Sequence, residues 1–319
     1  MDIIKIGIPK GLLYPKYHTF AKTFWEEMGA ELVISPDTNK KILDDGTKYC
    51  VDEACLPIKV FHGHVVWLKD RCDAIFMPRI ISLSKREYIC PMFCGLPEML
   101  RNDIPGLPYF ICEPIYSTDE EKLAKWARKT ATGIGKNEDV IMRAFDKALA
   151  KQNGFRPGHN DLKYPLKIAL IGHTYNINDT FINMDLVKKI NGAGVGIITE
   201  EYADSSTREA EVAKLFKKPF WIFARDYYGA AISMFREQSI DGIIYVSSFC
   251  CGIDSVVSEL IQDELGDFPF MILKIDEHTG EAGFNTRIEA FLDMLKRRSV
   301  SGNHLPKYGQ RLLCNKSHV

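Results

Sequence analysis

The sequence predicts an α/β protein built from two Rossmann-like domains, each a doubly wound, mainly parallel sheet, with a cleft between them. Three observations carry that expectation. Short apolar runs of strand length alternate with helix-periodic segments in both halves of the chain. Between the halves lie a charged helical stretch at 119–152 and a polar stretch rich in Gly, Pro and Asn at 153–164. The length, 319 residues, fits two domains better than one. The expected division is an N-terminal α/β domain over 1–118, a helical connection and linker over 119–164, a C-terminal α/β domain over 165–300 and a tail over 301–319.

Residues 3–8 are an apolar run of strand length, and 9–11 form a turn around Pro9 and Gly11. Residues 17–28 have the period of an amphipathic helix, closed by Gly29. A strand at 31–35 and a short helix at 39–45 follow. Residues 54–69 read as a helix with Asp52 and Glu53 at its start. A strand at 74–78, a helix at 91–101 opened by Pro91 and a strand at 109–112 complete the first half. The periodicity of 119–152 predicts one long helix that leaves the first domain. Alternation then resumes, with strands at 166–171, 195–199, 242–246 and 270–275. Helices are expected at 185–191, 227–238, 254–265 and 286–297, and the polar tail after Ser301 is expected to be loosely held.

The composition, 46% hydrophobic and 26% charged, is that of a globular protein. A net charge of −1 supplies no overall pull toward nucleic acid or an anionic membrane. No segment approaches the roughly 20 apolar residues of a bilayer span. The opening MDIIKIGIPKG reads as a strand rather than a leader, so a cytoplasmic location is expected. There is no G-x-x-x-x-G-K-[ST] loop, no G-x-G-x-x-G after the first strand and no G-x-S-x-G elbow. The glycines at 192, 194 and 196 precede a strand and form a turn. No nucleotide site is therefore expected.

Nine cysteines remain to be explained. Cys72, Cys112 and Cys314 suit ordinary core packing. Cys50, Cys55, Cys90, Cys94, Cys250 and Cys251 instead come in three pairs, each beside a glycine, a proline or a helix start. Cys55 lies at a helix start, Cys90 precedes Pro91, and Cys251 precedes Gly252 and the expected N-cap Asp254. Free N–H groups at a helix start favour thiolate, the form that binds metal. The local pairs Cys50/Cys55 and Cys90/Cys94 are too loose for a zinc finger or a ferredoxin motif. The pattern leaves metal binding and packing open; a metal bound by such sulfurs would be Fe–S or zinc. His62 and His64, two apart on a helix, point to different faces and suit polar packing or capping. His173 and His278 each follow a strand, where α/β sites gather. Asp276, Glu277 and His278 suit a loop network first, metal ligation or proton transfer second.

Six stretches then resemble one family. They are GIPKGLLYPKYHTFAKTFWEEMGAELVISPDTNKKILDDG, DEACLPIKVFHGHV, PRIISLSKREYICPMFCGLPEM, IGHTYNINDTFINMDL, FCCGIDSVVSELI and DEHTGEAGFNTRIEAFLDML. Together they are similar to the acyl-CoA dehydratase activase-related family, which is linked to the 2-hydroxyacyl-CoA dehydratases (2-hydroxyglutaryl-CoA dehydratase-like) and their activators. The resemblance runs from about residue 3 to about residue 297. It implies two Rossmann-like domains with a [4Fe-4S]-type cluster held between them by cysteines of different loops. The matching cysteines are Cys55 in EACLP, Cys90 in YICP and Cys251 in CGID. Some relatives hold a double-cubane [8Fe-9S] cluster, for which Cys50, Cys94 and Cys250 would be the additional ligands. Around the cluster, His173, Glu277 and His278 would tune its potential. The resemblance further implies low-potential electron transfer or small-molecule reduction, driven by a separate ATP-dependent activator or reductase. Such an enzyme would be an iron–sulfur reductase or a dehydratase-like lyase. The competing expectations are a non-redox or zinc-binding accessory protein that binds a dehydratase or activator partner, and a metal-free enzyme acting on a CoA thioester. A homodimer is expected from the prevalence of symmetric oligomers.

Overall fold

A computed structural model describes residues 4–84, 87–132 and 134–300. The tail over 301–319, with Cys314, lies outside the described residues. The first half runs β1 (Lys5–Ile8), α1 (Tyr14–Glu27), β2 (Glu31–Ile34), α2 (Lys40–Tyr49), α3 (Leu56–Leu68) and β3 (Ala74–Phe76). It continues through β4 (Arg79–Ile80), β5 (Ser82–Ser84), β6 (Glu87–Tyr88), α4 (Pro91–Asp103), β7 (Tyr109–Ile111) and β8 (Pro114–Ile115), then α5 (Glu120–Thr130) and α6 (Glu138–Asn153). The second half runs β9 (Leu166–Gly172), α7 (Thr174–Asn178), α8 (Leu186–Gly192), β10 (Val195–Thr199), a 3₁₀ turn (Glu200–Tyr202) and α9 (Ser205–Ala213). It ends with α10 (Ile222–Arg236), β11 (Gly242–Ser248), α11 (Gly252–Leu265), β12 (Phe270–Ile275) and α12 (Glu281–Val300).

Each half carries a four-stranded, all-parallel sheet, in the orders β2-β1-β3-β7 and β10-β9-β11-β12. The two orders are equivalent, so both sheets change direction between their first and third strands. Such a switch point opens a crevice at the carboxyl ends of the strands. Continuous apolar strands are what a sheet covered on both faces requires. Along β11, Ile243 and Tyr245 enter one core while Ile244 and Val246 enter another. Ala169 and Ile171 of β9 divide from Ile168 and Leu170 in the same way.

The α/β class expected from the sequence is the class observed. One helix differs. The segment 119–152 is not a single helix leaving the first half but the two helices α5 and α6. Gly135 adopts a φ of +70°, and the Asn137 side chain caps α6 by accepting from Val140 N at 3.0 Å. Helix α5 stops at its Ala131 C-cap, before Gly135, and the Asn137 cap starts α6. Ile141, Ala144, Phe145 and Ala148 of α6 then pack with Ile6, Ile8, Phe24 and Trp25, returning the chain onto the first sheet.

The two halves share cores. Ile42 of α2 and Leu56 and Val60 of α3 pack in one cluster with Ile168, Ile197 and Ile244 of the second sheet. The opposite side of α3 presents Ile58, Phe61, Val65 and Leu68 to Ile75 and Phe110 of the first. Helix α2 meets α3 backbone to backbone: a Cβ on Gly63 would lie 1.8 Å from the Ile42 carbonyl oxygen, and one on Gly46 1.9 Å from that of Lys59. Only glycine permits so close an approach.

His62 and His64 take the packing roles expected of them. His62 Nδ1 pairs with the Ile58 carbonyl at 2.8 Å, and Nε2 meets Asp103 at 3.2 Å. His64 pairs through Nδ1 with Ser35 Oγ at 2.9 Å and through Nε2 with Thr38 Oγ1 at 3.1 Å. The Thr38 hydroxyl donates in turn to Asp179 of the second half. Burial pulls the His64 pKa down to about 4. A depressed folded-state pKa means that the neutral imidazole stabilises the fold fully above about pH 6.5, and that this contribution is lost as pH falls toward 4. The shift corresponds to at most about 3 kcal/mol. In urea unfolding, stability is therefore expected to fall between pH 7 and pH 5, and less steeply in His64→Gln. Equal losses in the two proteins would remove His64 as the source.

Candidate metal centre

Four helix starts meet in one place. Cys55 is the N-cap of α3, Cys90 of α4, His173 of α7 and Cys251 of α11. Pro57 and Pro91, in the first turns of α3 and α4, set the helical φ two residues after Cys55 and one residue after Cys90. None of the four side chains caps its own helix. All four line one small cavity instead, with Tyr175 and Phe93 beside them. Two of the sulfurs come from the first half of the chain; the third sulfur and the imidazole follow β11 and β9, the strands that flank the second switch point.

A polar network supports the second-half side. His173 stacks on Tyr175 with ring centroids 4.8 Å apart. Its Nδ1 pairs with the Tyr227 hydroxyl at 3.1 Å, and its Nε2 lies 3.3 Å from Asp254 Oδ1. The Tyr245 hydroxyl donates to the same Oδ1 at 2.8 Å. Asp254 Oδ2 is buried and has no hydrogen-bond partner. Among the described residues, His173, Cys251 and Asp254 bring one ligand atom each to within 4.8 Å of one another.

The electrostatics overturn one expectation. Burial pushes the Cys55 thiol up to about 12, and it raises Cys90 and Cys251 as well. The neighbouring Asp254 charge adds to the upward shift at all three. Helix starts alone do not make these sulfurs thiolates, because desolvation outweighs the partial charge of the helix. Burial pulls His173 down, yet the Asp254 carboxylate lifts it to about 9. Burial pushes Asp254 up, and the His173 imidazolium holds it below the usual carboxylate range. The site thus contains a buried ion pair surrounded by three neutral thiols, and a cation would convert those thiols to ligands.

The other residues singled out in the sequence lie elsewhere. Cys50 ends α2 and is buried among the residues packed on the first sheet, its thiol pushed by burial up to about 11. Cys94 sits in the first turn of α4 and is half-buried. Cys250 is exposed and has a φ of +65°. None of the three lines the cavity. His278 is exposed, and its backbone N–H donates to Asp276 Oδ1 at 2.9 Å. Asp276 also accepts from the Thr279 hydroxyl at 2.7 Å, so the loop network is present. Glu277 pairs with the buried Lys59 of α3, joining the two halves of the chain rather than facing the sulfurs. Asp254 is not the N-cap of α11: it stands three residues inside the cap, turned into the core. Tyr175, Tyr227 and Tyr245 carried no site signal in the sequence: Tyr245 sits in an apolar run, while Tyr175 and Tyr227 lie beside polar residues.

Fold and site define a two-sheet α/β protein with a thiol-rich pocket where helix starts from both halves meet. Residues 5–202 match the CoA enzyme activase uncharacterised domain (DUF2229), more than half of the chain, and the protein belongs to that family. Residues 174–295 match the 2-hydroxyglutaryl-CoA dehydratase D-component, a segment that includes Cys251 and Asp254. The protein therefore stands in the activase- and dehydratase-related group. No curated protein matches the chain. Among the described residues, no helix is long and apolar enough to cross a membrane.

The Tyr245–Asp254 hydrogen bond is buried and charge-assisted, a class that contributes about 1.5–3 kcal/mol. Tyr245→Phe is expected to lower unfolding free energy by about 2 kcal/mol in urea titrations. A loss below about 0.5 kcal/mol would show that Asp254 does not depend on it.

Proposed function

We propose that this is an iron–sulfur protein of the 2-hydroxyacyl-CoA dehydratase-related group, with a [4Fe-4S]-type cluster on Cys55, Cys90 and Cys251. The observation that carries the reading is the meeting of these three sulfurs, from three helix starts and both halves of the chain, on one cavity. The donor set suits the group: three buried thiols, beside an imidazolium already balanced by Asp254 and a buried carboxylate oxygen without a partner. When bound, the cluster would supply one-electron chemistry at low potential and, with three protein ligands, one open iron. The chain's own residues set its surroundings. Tyr227 and Asp254 fix the imidazole of His173, which hydrogen-bonds toward Cys251. Leu12, Ile58, Phe93 and Ile253 wall the sulfurs off with apolar surface. Electrons would come from a separate ATP-dependent activator or reductase, and the protein would relay them or reduce a small molecule. The proposed domain division places the sulfurs at a junction between an N-terminal unit over 1–118 and a C-terminal unit over 165–300. The helices of 119–164 then belong with the first unit by packing.

A second reading is favoured by one observation. The void among the sulfurs is about 20 Å³, room for about one water-sized occupant, and the mixed His173, Cys251 and Asp254 set suits zinc. In that case the protein would be a non-redox partner of a dehydratase or activator. Metal and sulfide analysis of protein purified without oxygen separates the two. About four irons and four sulfides per chain are expected, lost in Cys251→Ala and kept in Cys314→Ser. About one zinc without sulfide would establish the second reading, and full iron in both variants would overturn the ligand assignment.

A further inference from the structure

A second cavity, of about 300 Å³, lies inside the first half of the chain. That volume is at the lower end of small-molecule sites, which span roughly 300–1,000 Å³. It occupies the switch point of the first sheet: Ile8, Pro9 and Gly11 line it just after β1, and Phe76, Met77 and Pro78 at the end of β3. This is where an open α/β sheet takes its ligand. At one end the exposed Thr118 and Asn153 form part of the wall. At the other end Leu12 and Phe93 line both this cavity and the cysteine cavity, so the two are separated by shared side chains.

The walls decide what chemistry can enter. Among the described residues, no Asp, Glu or Lys lines the cavity. Gln152 has spent its side-chain amide, donating to the Lys16 carbonyl and accepting from Phe20 N. His18 pairs through Nδ1 with the Tyr14 carbonyl, and burial holds its pKa below the ordinary value, so it is neutral at pH 7. Arg79 remains. Its guanidinium charge is met by Glu98 through Nη2, but its Nε is buried without a hydrogen-bond partner. That atom is fully enclosed by protein, so it does not present its donor to the cavity.

We propose that this cavity binds an uncharged, largely apolar small molecule, held by its apolar walls. A carboxylate is disfavoured because Glu98 already balances the guanidinium, and a second anion would lose its hydration among apolar walls. At roughly 30 Å³ for each water-sized heavy atom, the volume holds about ten heavy atoms. The site exists whether or not the cysteines bind metal, and its test uses the reduced, metal-free chain, so failure of one proposal leaves the other standing.

The probe is 2-octanone, titrated into the full chain and followed by calorimetry and by the shift in melting temperature. Saturable binding with a rise in melting temperature is expected, with octanoate at least tenfold weaker. Ala21→Leu projects into the void and is expected to weaken 2-octanone severalfold; should it fail to fold, the comparison of 2-octanone with octanoate decides alone. No saturable binding of 2-octanone would overturn the site. Octanoate binding as tightly as 2-octanone would overturn the ligand class.

Discussion

Packed between two sheets, α3 buries three ionisable side chains, Lys59, His62 and His64, and each has to find a partner from another part of the chain. Lys59 reaches the Asp52 carbonyl and Glu277, His62 reaches Asp103, and His64 reaches Ser35 and Thr38. A buried polar group without such a partner would cost several times what a satisfied one contributes. The loops before α2, after α4 and after β12 are therefore tied to one helix. That helix carries Cys55 at its start, so satisfying the buried groups also fixes a sulfur in the cavity.

The cavity itself follows from the same economy of buried charge. Four helix starts border a region where carboxylate, imidazolium and thiol are all out of water. The Asp254–His173 pair resolves one carboxylate oxygen and leaves the other open. Three neutral thiols beside it are a strained electrostatic arrangement only if they are asked to ionise. Their protonated state keeps the apoprotein compact, and the same burial makes metal uptake release protons.

Much of this could be read from residue order. β11, a run of seven buried residues ending beside two cysteines, could hardly be anything but a central parallel strand. Cys90-Pro91 marks a helix start through the fixed φ of proline, and the structure places Cys90 at that cap. Other features were local but misread. Asn137 carries ordinary helix-start chemistry, yet the charged period on either side of it resembles one continuous helix. The role of Asp254 was not local at all. Its position near a helix start suits capping, and only the approach of Tyr245 and His173 across the sheet turns it inward. His278 shows the converse: a histidine after a strand looks poised for a site, but its loop turns it to solvent.

The shared core has a consequence for the order in which the chain is made. When the first sheet and its helices are complete, Ile42, Leu56 and Val60 have no cover, because their partners, from Ile168 to Leu295, are still to be synthesised. At about 5–20 residues per second, that apolar face waits on the order of ten seconds for its lid. During synthesis, the half-made protein is a sticky surface in need of a chaperone, and its N-terminal sheet becomes a finished object only when the last helix closes over the second.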